Sequence, residues 1–452
     1  MLCSQCHARL EDDAVFCGNC GAQVTSPQRG GTKTVVDRTT PDPLMNNDEQ
    51  VTVLSSRFGS SPPTVLPSSL QKRPGGAVTD SPGQRNVPPP LAPRPSSPDH
   101  TRRNVLIGLL LLVLVASGSV GLAFVLKNNT NTGSGAASGQ VAFVDSQNGP
   151  AGHTNALKIA INGLIAPPNG SQYDAWLIDD KSEQVTPLGT LVESGQKFSL
   201  NFVAATDRRQ QSINLLGLGD RLEITLEQGQ VSLPTGKVVL SGTFPPMAVI
   251  HIRHLLLSFP ITPGKIGLLS GLLNQAQLLN EEALVLQNLS GSGNSFAMQC
   301  AAQSIIDISE GNNGPHYQPL ADGCASQNIT KAGDGFGLLG QGYIVTASSH
   351  ASLAATQPDA TNNIRIHAGH VEIAMTNIKG WVTTVDQDAL KLLANPLDTS
   401  IVQEMVNLSD HAYHGVDING DEQVDPVAGE AGAITAYIHG QLMAALPLVP
   451  AA

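Results

Sequence analysis

The pattern of hydrophobic and polar positions divides the chain into four regimes. Residues 25–104 show no apolar periodicity, and Val105 to Leu126, VLIGLLLLVLVASGSVGLAFVL, is apolar without a single charge. Short β-forming runs come next: KIAINGLIA (158–166), YDAWLID (173–179), QVTPLGTLV (184–192), KFSLNFV (197–203), RLEITLE (221–227) and KVVLSGT (237–243). Turn residues separate them at the spacing of a β-sandwich or barrel. From residue 246 the apolar positions recur at helical spacing, in 247–259, 267–287, 296–309, 363–393, 400–414 and 430–446. The predicted fold is multidomain: a small N-terminal unit, one transmembrane helix, an all-β sandwich, and a mostly α-helical bundle with calcium-type loops.

The uncharged stretch sets the topology. Its 22 residues, at ~1.5 Å each, reach ~33 Å, enough for a hydrocarbon core of ~30 Å. A cleaved signal peptide does not begin about a hundred residues into a chain. Arg94, Arg102 and Arg103 precede the stretch and only Lys127 follows it, so the positive-inside bias predicts a cytoplasmic N-terminus and an outer C-terminal part. The expected divisions are a metal-binding unit at 1–24, a Pro/Ser-rich linker at 25–104 and the span at 105–126. A stalk at 127–140, the sandwich at 141–245 and the helical domain at 246–452 follow. The linker holds 14 of the 30 prolines and reads as disordered.

Charge and cysteine usage follow the same division. Residues 1–104 carry 11 Lys+Arg against 9 Asp+Glu, whereas residues 131–452 carry 13 against 28. An outer part this acidic argues against nucleic acid as its partner. Four of the six cysteines lie in the first twenty residues, on the reducing side. Cys300 and Cys324 stand alone on the oxidising side, where a disulfide between them is permitted.

Cys3-x2-Cys6 and Cys17-x2-Cys20 supply four thiolates to one tetrahedral ion, a ligand set that zinc prefers. The segment resembles the short zinc ribbons of bacterial protein N-termini. FCGNCG (16–21) matches their second knuckle, while His7 stands where the first usually has Gly. So small a unit needs its ion to fold.

The helical part looks duplicated. HIRH (251–254) opens one half and HAGH (367–370) the other; each leads to a helix pair, a Gly/Asp-rich loop and a further helix. His251 and His254, His367 and His370, and also His411 and His414 are i, i+3 pairs, each on one helix face. Pairs turned to a bundle core are a ligand set for a transition metal or haem iron, although no CxxCH or ExxH accompanies them. Hydrogen-bonded or solvated histidines are the plainer alternative. The second loop places Asp417, Asn419 and Asp421 at positions 1, 3 and 5 of a calcium loop, with Gln423 at 7, Asp425 at 9 and Glu430 as a late closing carboxylate. Glu422 stands at position 6 instead of Gly and Ala428 at position 12. An acidic turn that caps the next helix is the competing reading. The first loop, with Asp322, Ser326, Asn328 and Asp334, matches less well. No hydrolase elbow, P-loop or HExxH stands in a supporting context.

Tyr173, Trp176 and Leu177, followed by Thr225, Glu227 and Pro234-Thr235-Gly236, resemble the extracytoplasmic C-terminal domain of the anti-sigma-K factor family over residues 140–245. The resemblance implies a membrane-proximal β-sandwich with Trp176 inside. That family's cytoplasmic sigma-binding helices are replaced here by the cysteine-rich unit and the linker.

The expectation is a single-pass plasma-membrane protein without catalytic activity. A cytoplasmic zinc ribbon lies inside, and outer domains stiffened by calcium bind or sense an unknown protein or envelope ligand. A His-rich electron carrier or oxidoreductase, and an anti-sigma-type regulator, are the alternatives.

Overall fold

The computed structural model describes residues 136–146, 152–205 and 212–451. The cysteine-rich unit, the Pro/Ser-rich linker, the apolar 105–126 stretch and most of the stalk lie outside the described residues. Among the described residues no helix is long and apolar enough to cross a membrane. These residues all belong to one compact unit.

The strands are β1 (Ser138–Val144), β2 (Ala156–Asn162), β3 (Ser171–Asp179), β4 (Gln184–Thr190), β5 (Val192–Ser194), β6 (Lys197–Val203), β7 (Arg221–Gln228), β8 (Lys237–Thr243) and β9 (Leu446–Pro450). They form one nearly closed antiparallel sheet in the order β4-β3-β7-β8-β9-β1-β2-β6-β5. Alternation explains the inward faces. Leu157, Ile159 and Ile161 of β2 are buried while Lys158 and Ala160 between them are partly exposed; in β7 Leu222 and Ile224 are buried, and the alternation breaks at Thr225, which is buried as well. Trp176 is 1% exposed, and its indole N–H donates to Thr225 Oγ1 at 2.8 Å. Glu227 accepts from the Thr235 amide and hydroxyl. A Cβ on Gly236 would lie 1.9 Å from the Leu226 carbonyl oxygen, so only glycine fits there.

The helices are α1 (Ala248–Leu256), α2 (Leu268–Leu289), α3 (Ser295–Glu310), α4 (Tyr343–Thr356), α5 (Asn362–Ala394), α6 (Val402–His414) and α7 (Ala433–Met443). Two departures from the expected order matter. The last residues of the stalk are already β1. The end of the helical region, LPLVP, returns to the sheet as β9, pairing with β1 through Leu446–Leu448 and with β8 through Val449 and Pro450. The sheet is therefore finished only after every helix has been made. Sheet and helices share one hydrophobic core, from Phe143 and Phe244 to Leu392. Cys300 of α3 and Cys324 are joined by a disulfide.

Two tri-histidine centres as the candidate functional site

In α1, AVIHIRHLL, Val249, Ile252, Leu255 and Leu256 bury one flank of the helix. The Asp359 carboxylate caps it, accepting from the amides of Met247 at 2.6 Å and Ala248 at 3.1 Å. Arg253 points to the turn that leads into β7, donating to the carbonyls of Leu216 and Gly219 and to Asp220. That leaves His251 and His254 on the remaining face, toward α4. From the middle of α4 comes His350, whose Nδ1 lies 3.2 Å from His251 Nδ1 and 3.3 Å from His254 Nδ1.

The second half repeats the arrangement on other helices. Thr361 caps α5 by accepting from the Ile364 amide at 3.2 Å, and the HAGH pair lies in the second turn. His439 of α7 sets its Nδ1 2.8 Å from His367 Nδ1 and 3.2 Å from His370 Nδ1. His350 is the eighth residue beyond Gly342, and His439 the seventh beyond Gly432; these glycines precede α4 and α7. Both glycines are packed backbone to backbone, against Gly337 and Gly415 respectively. The third histidine of each centre thus sits two turns into the helix that closes its half.

Within each triad the nearest ligand atoms of all three rings lie within 4.8 Å of one another. A zinc ion bound tetrahedrally at ~2.0–2.1 Å holds its nitrogens about 3.3–3.4 Å apart, close to the spacing seen in the first triad. Protonated rings would repel one another here. Burial pushes His251, His254 and His367 down to about 4, and His350 and His439 to about 3, with neighbouring imidazoles adding to the effect for all but His251. Burial also lowers His370. All six rings are neutral at pH 7, the state in which imidazole ligates.

Two networks hold the second triad together. The Asp145 carboxylate accepts from the Gly152 and Thr154 amides, from the Tyr437 hydroxyl at 2.8 Å and from the Gln441 amide at 3.1 Å. Tyr437 is two residues from His439, so the end of β1 fixes α7. The acidic loop does the same from the other side. Asn377 of α5 donates to the carbonyls of Val427 and Ala431 and accepts from the Gly429 amide.

The residues of the calcium-loop pattern lie in this loop as a chain of turns. Asp417 accepts from the amides of Gly420 and Glu422, Asn419 from Asp421, and Asp421 from Gln423. Glu422 adopts the left-handed backbone (φ 67°) at the position where the pattern asks for glycine. Glu430, 3% exposed, accepts from the Asp425 amide at 3.1 Å. In the first loop Asp334 accepts from the Tyr343 hydroxyl at 2.6 Å and from the Phe336 amide. Neither loop is among the groups whose ligand atoms converge, among the described residues.

Four of the six expected histidines are therefore brought together, joined by His350 and His439. His411 and His414 are not part of either centre. The His411 ring lies 5.6 Å from that of Trp381, and His414 Nδ1 is 2.7 Å from Asp410 Oδ1 on its own helix. The reason is packing: α6 lies against α2 and α5, but His411 meets α5 at Trp381, about three turns beyond the HAGH pair.

Residues 2–24 match the family model of the zinc-ribbon domain, and Cys3, Cys6, Cys17 and Cys20 fall inside the match. No curated protein and no solved structure matches the chain. The likeness of residues 140–245 to the anti-sigma-K domain rests on its quoted residues alone.

Proposed function

We propose that this chain is a membrane-anchored, envelope-facing metal-binding protein, with two first-row transition-metal ions held by the outer tri-histidine centres and a zinc ribbon on the inner side. The observation that carries this reading is the convergence of Nδ1 atoms from four helices into two like triads. Three neutral imidazoles with no thiolate or carboxylate suit zinc and copper, and the tetrahedral spacing favours zinc. Haem is a poorer fit, because three rings pointing at one spot leave no plane for a macrocycle.

The disulfide supports an oxidising location for the described part, and the apolar 105–126 stretch supplies the anchor. Among the described residues no carboxylate or hydroxyl hydrogen-bonds to either triad, which favours holding or sensing an ion over acid–base chemistry. The acidic loop enters this reading as the strap between α5 and α7, with calcium a further occupant that nothing in its geometry requires.

Metal counting on the full chain in detergent tests the reading. Three zinc ions per chain are expected: one on thiolates and two on histidines. His350→Ala and His439→Ala each remove one, and the double variant retains only the ribbon's ion. An unchanged count in the double variant would overturn the reading.

A further inference from the structure

The two triads are alike in ligands but unlike in their surroundings, and the differences all run one way. In the first, His251 and His350 are 3% and 2% exposed and only His254 is partly exposed. Phe259 closes over it, with ring centroids 5.3 Å from His254 and 4.9 Å from His350. The intervening Arg253 is tied to the turn before β7 by three hydrogen bonds. The Gln357 amide, just beyond α4, lies 3.2 Å from His251 Nε2. Once Nδ1 ligates an ion, Nε2 carries the proton and needs an acceptor; a half-turn of that amide presents its oxygen.

Among the described residues the second triad has none of these. All three of its rings are partly exposed. Among the described residues no other aromatic ring stacks on His367, His370 or His439. In HAGH the place of Arg253 is taken by Gly369, beside which a side chain would meet only open space. Its neighbour Ile366 is 48% exposed.

We infer that the triads divide the work: the His251/His254/His350 centre keeps a resident ion, and the His367/His370/His439 centre takes an exchangeable one whose fourth coordination position is filled from solvent. This rests on reading both triads as metal centres. Exchange of a bound ion is faster where water or a competing ligand can reach it. Phe259 and the two buried rings restrict that approach to the His254 side at the first triad, whereas all three rings of the second are open to it. The exchangeable ion is the one available to a chelating partner, and its open position accepts water or a small anion.

Radioactive zinc exchange on the full, zinc-loaded chain in detergent tests the division. The fastest-exchanging ion should vanish in His439→Gln, and a slower one, by at least tenfold, should vanish in His350→Gln. Phe259→Leu removes the lid without touching a ligand, and should speed only the ion that His350→Gln removes. Equal rates at the two triads, or a faster first triad, overturn the division and leave two-ion binding intact. Retention of every ion in both histidine variants overturns the metal reading, and the division falls with it.

Discussion

At the scale of single residues, the energetic tension sits outside the triads. Asp386 of α5 is 7% exposed, and its Oδ1 has no hydrogen-bond partner. Burial, aided by repulsion from Glu310 and opposed by His316, raises it from 3.8 to about 7. The folded protein therefore holds this proton more tightly than the unfolded chain. The stability it contributes is complete below about pH 4 and is lost as pH rises through 7. Asp386→Asn should leave stability nearly unchanged at pH 4 and raise it by about 1–3 kcal/mol at pH 8, read from chemical denaturation. A variant no more stable at pH 8 would mean that the carboxylate is paired when charged.

Between elements, the covalent and polar ties make separable predictions. The disulfide closes the stretch between Cys300 and Cys324, a sequence separation of 24. Replacing both cysteines with serine should cost roughly 3 kcal/mol in chain entropy, measured as a lower denaturation midpoint. Asn377 ties the acidic loop to α5 and so sets α7 against the HAGH pair. Asn377→Leu should weaken zinc at the second triad at least tenfold in a competitive titration and leave the first triad unmoved. Equal loss at both would make its role one of general stability.

How much of this was legible follows from distance along the chain. The i, i+3 pairs were visible because helical periodicity is local. His350 and His439 lie 96 and 69 residues along the chain from the nearer members of their pairs, His254 and His370, and a lone histidine carries no periodic signal. The one available clue was the duplication, which places a histidine two turns into the last helix of each half. His411 and His414 carried the same i, i+3 signature as the true pairs, and only the packing of α6 separates them. The strand LPLVP was hidden for a related reason: Pro447 and Pro450 argue against a central strand, and its partners lie in β1 and β8.

For the molecule as a whole, β9 makes sheet and helices interdependent. Ending the chain at Ala445 removes the strand that joins β1 to β8. The full chain's described part should melt in one transition, and the truncation should lose that cooperativity along with both histidine-bound ions. Separate sheet and helix transitions in the intact protein would contradict a shared core. Two ions at two defined places in this shared core are the test. Anomalous diffraction at the zinc edge on crystals of the full chain locates them directly. The account predicts one peak at ~2.0–2.1 Å from Nδ1 of His251, His254 and His350, and a second equally near His367, His370 and His439. Zinc-loaded crystals with no peak in either triad would contradict it.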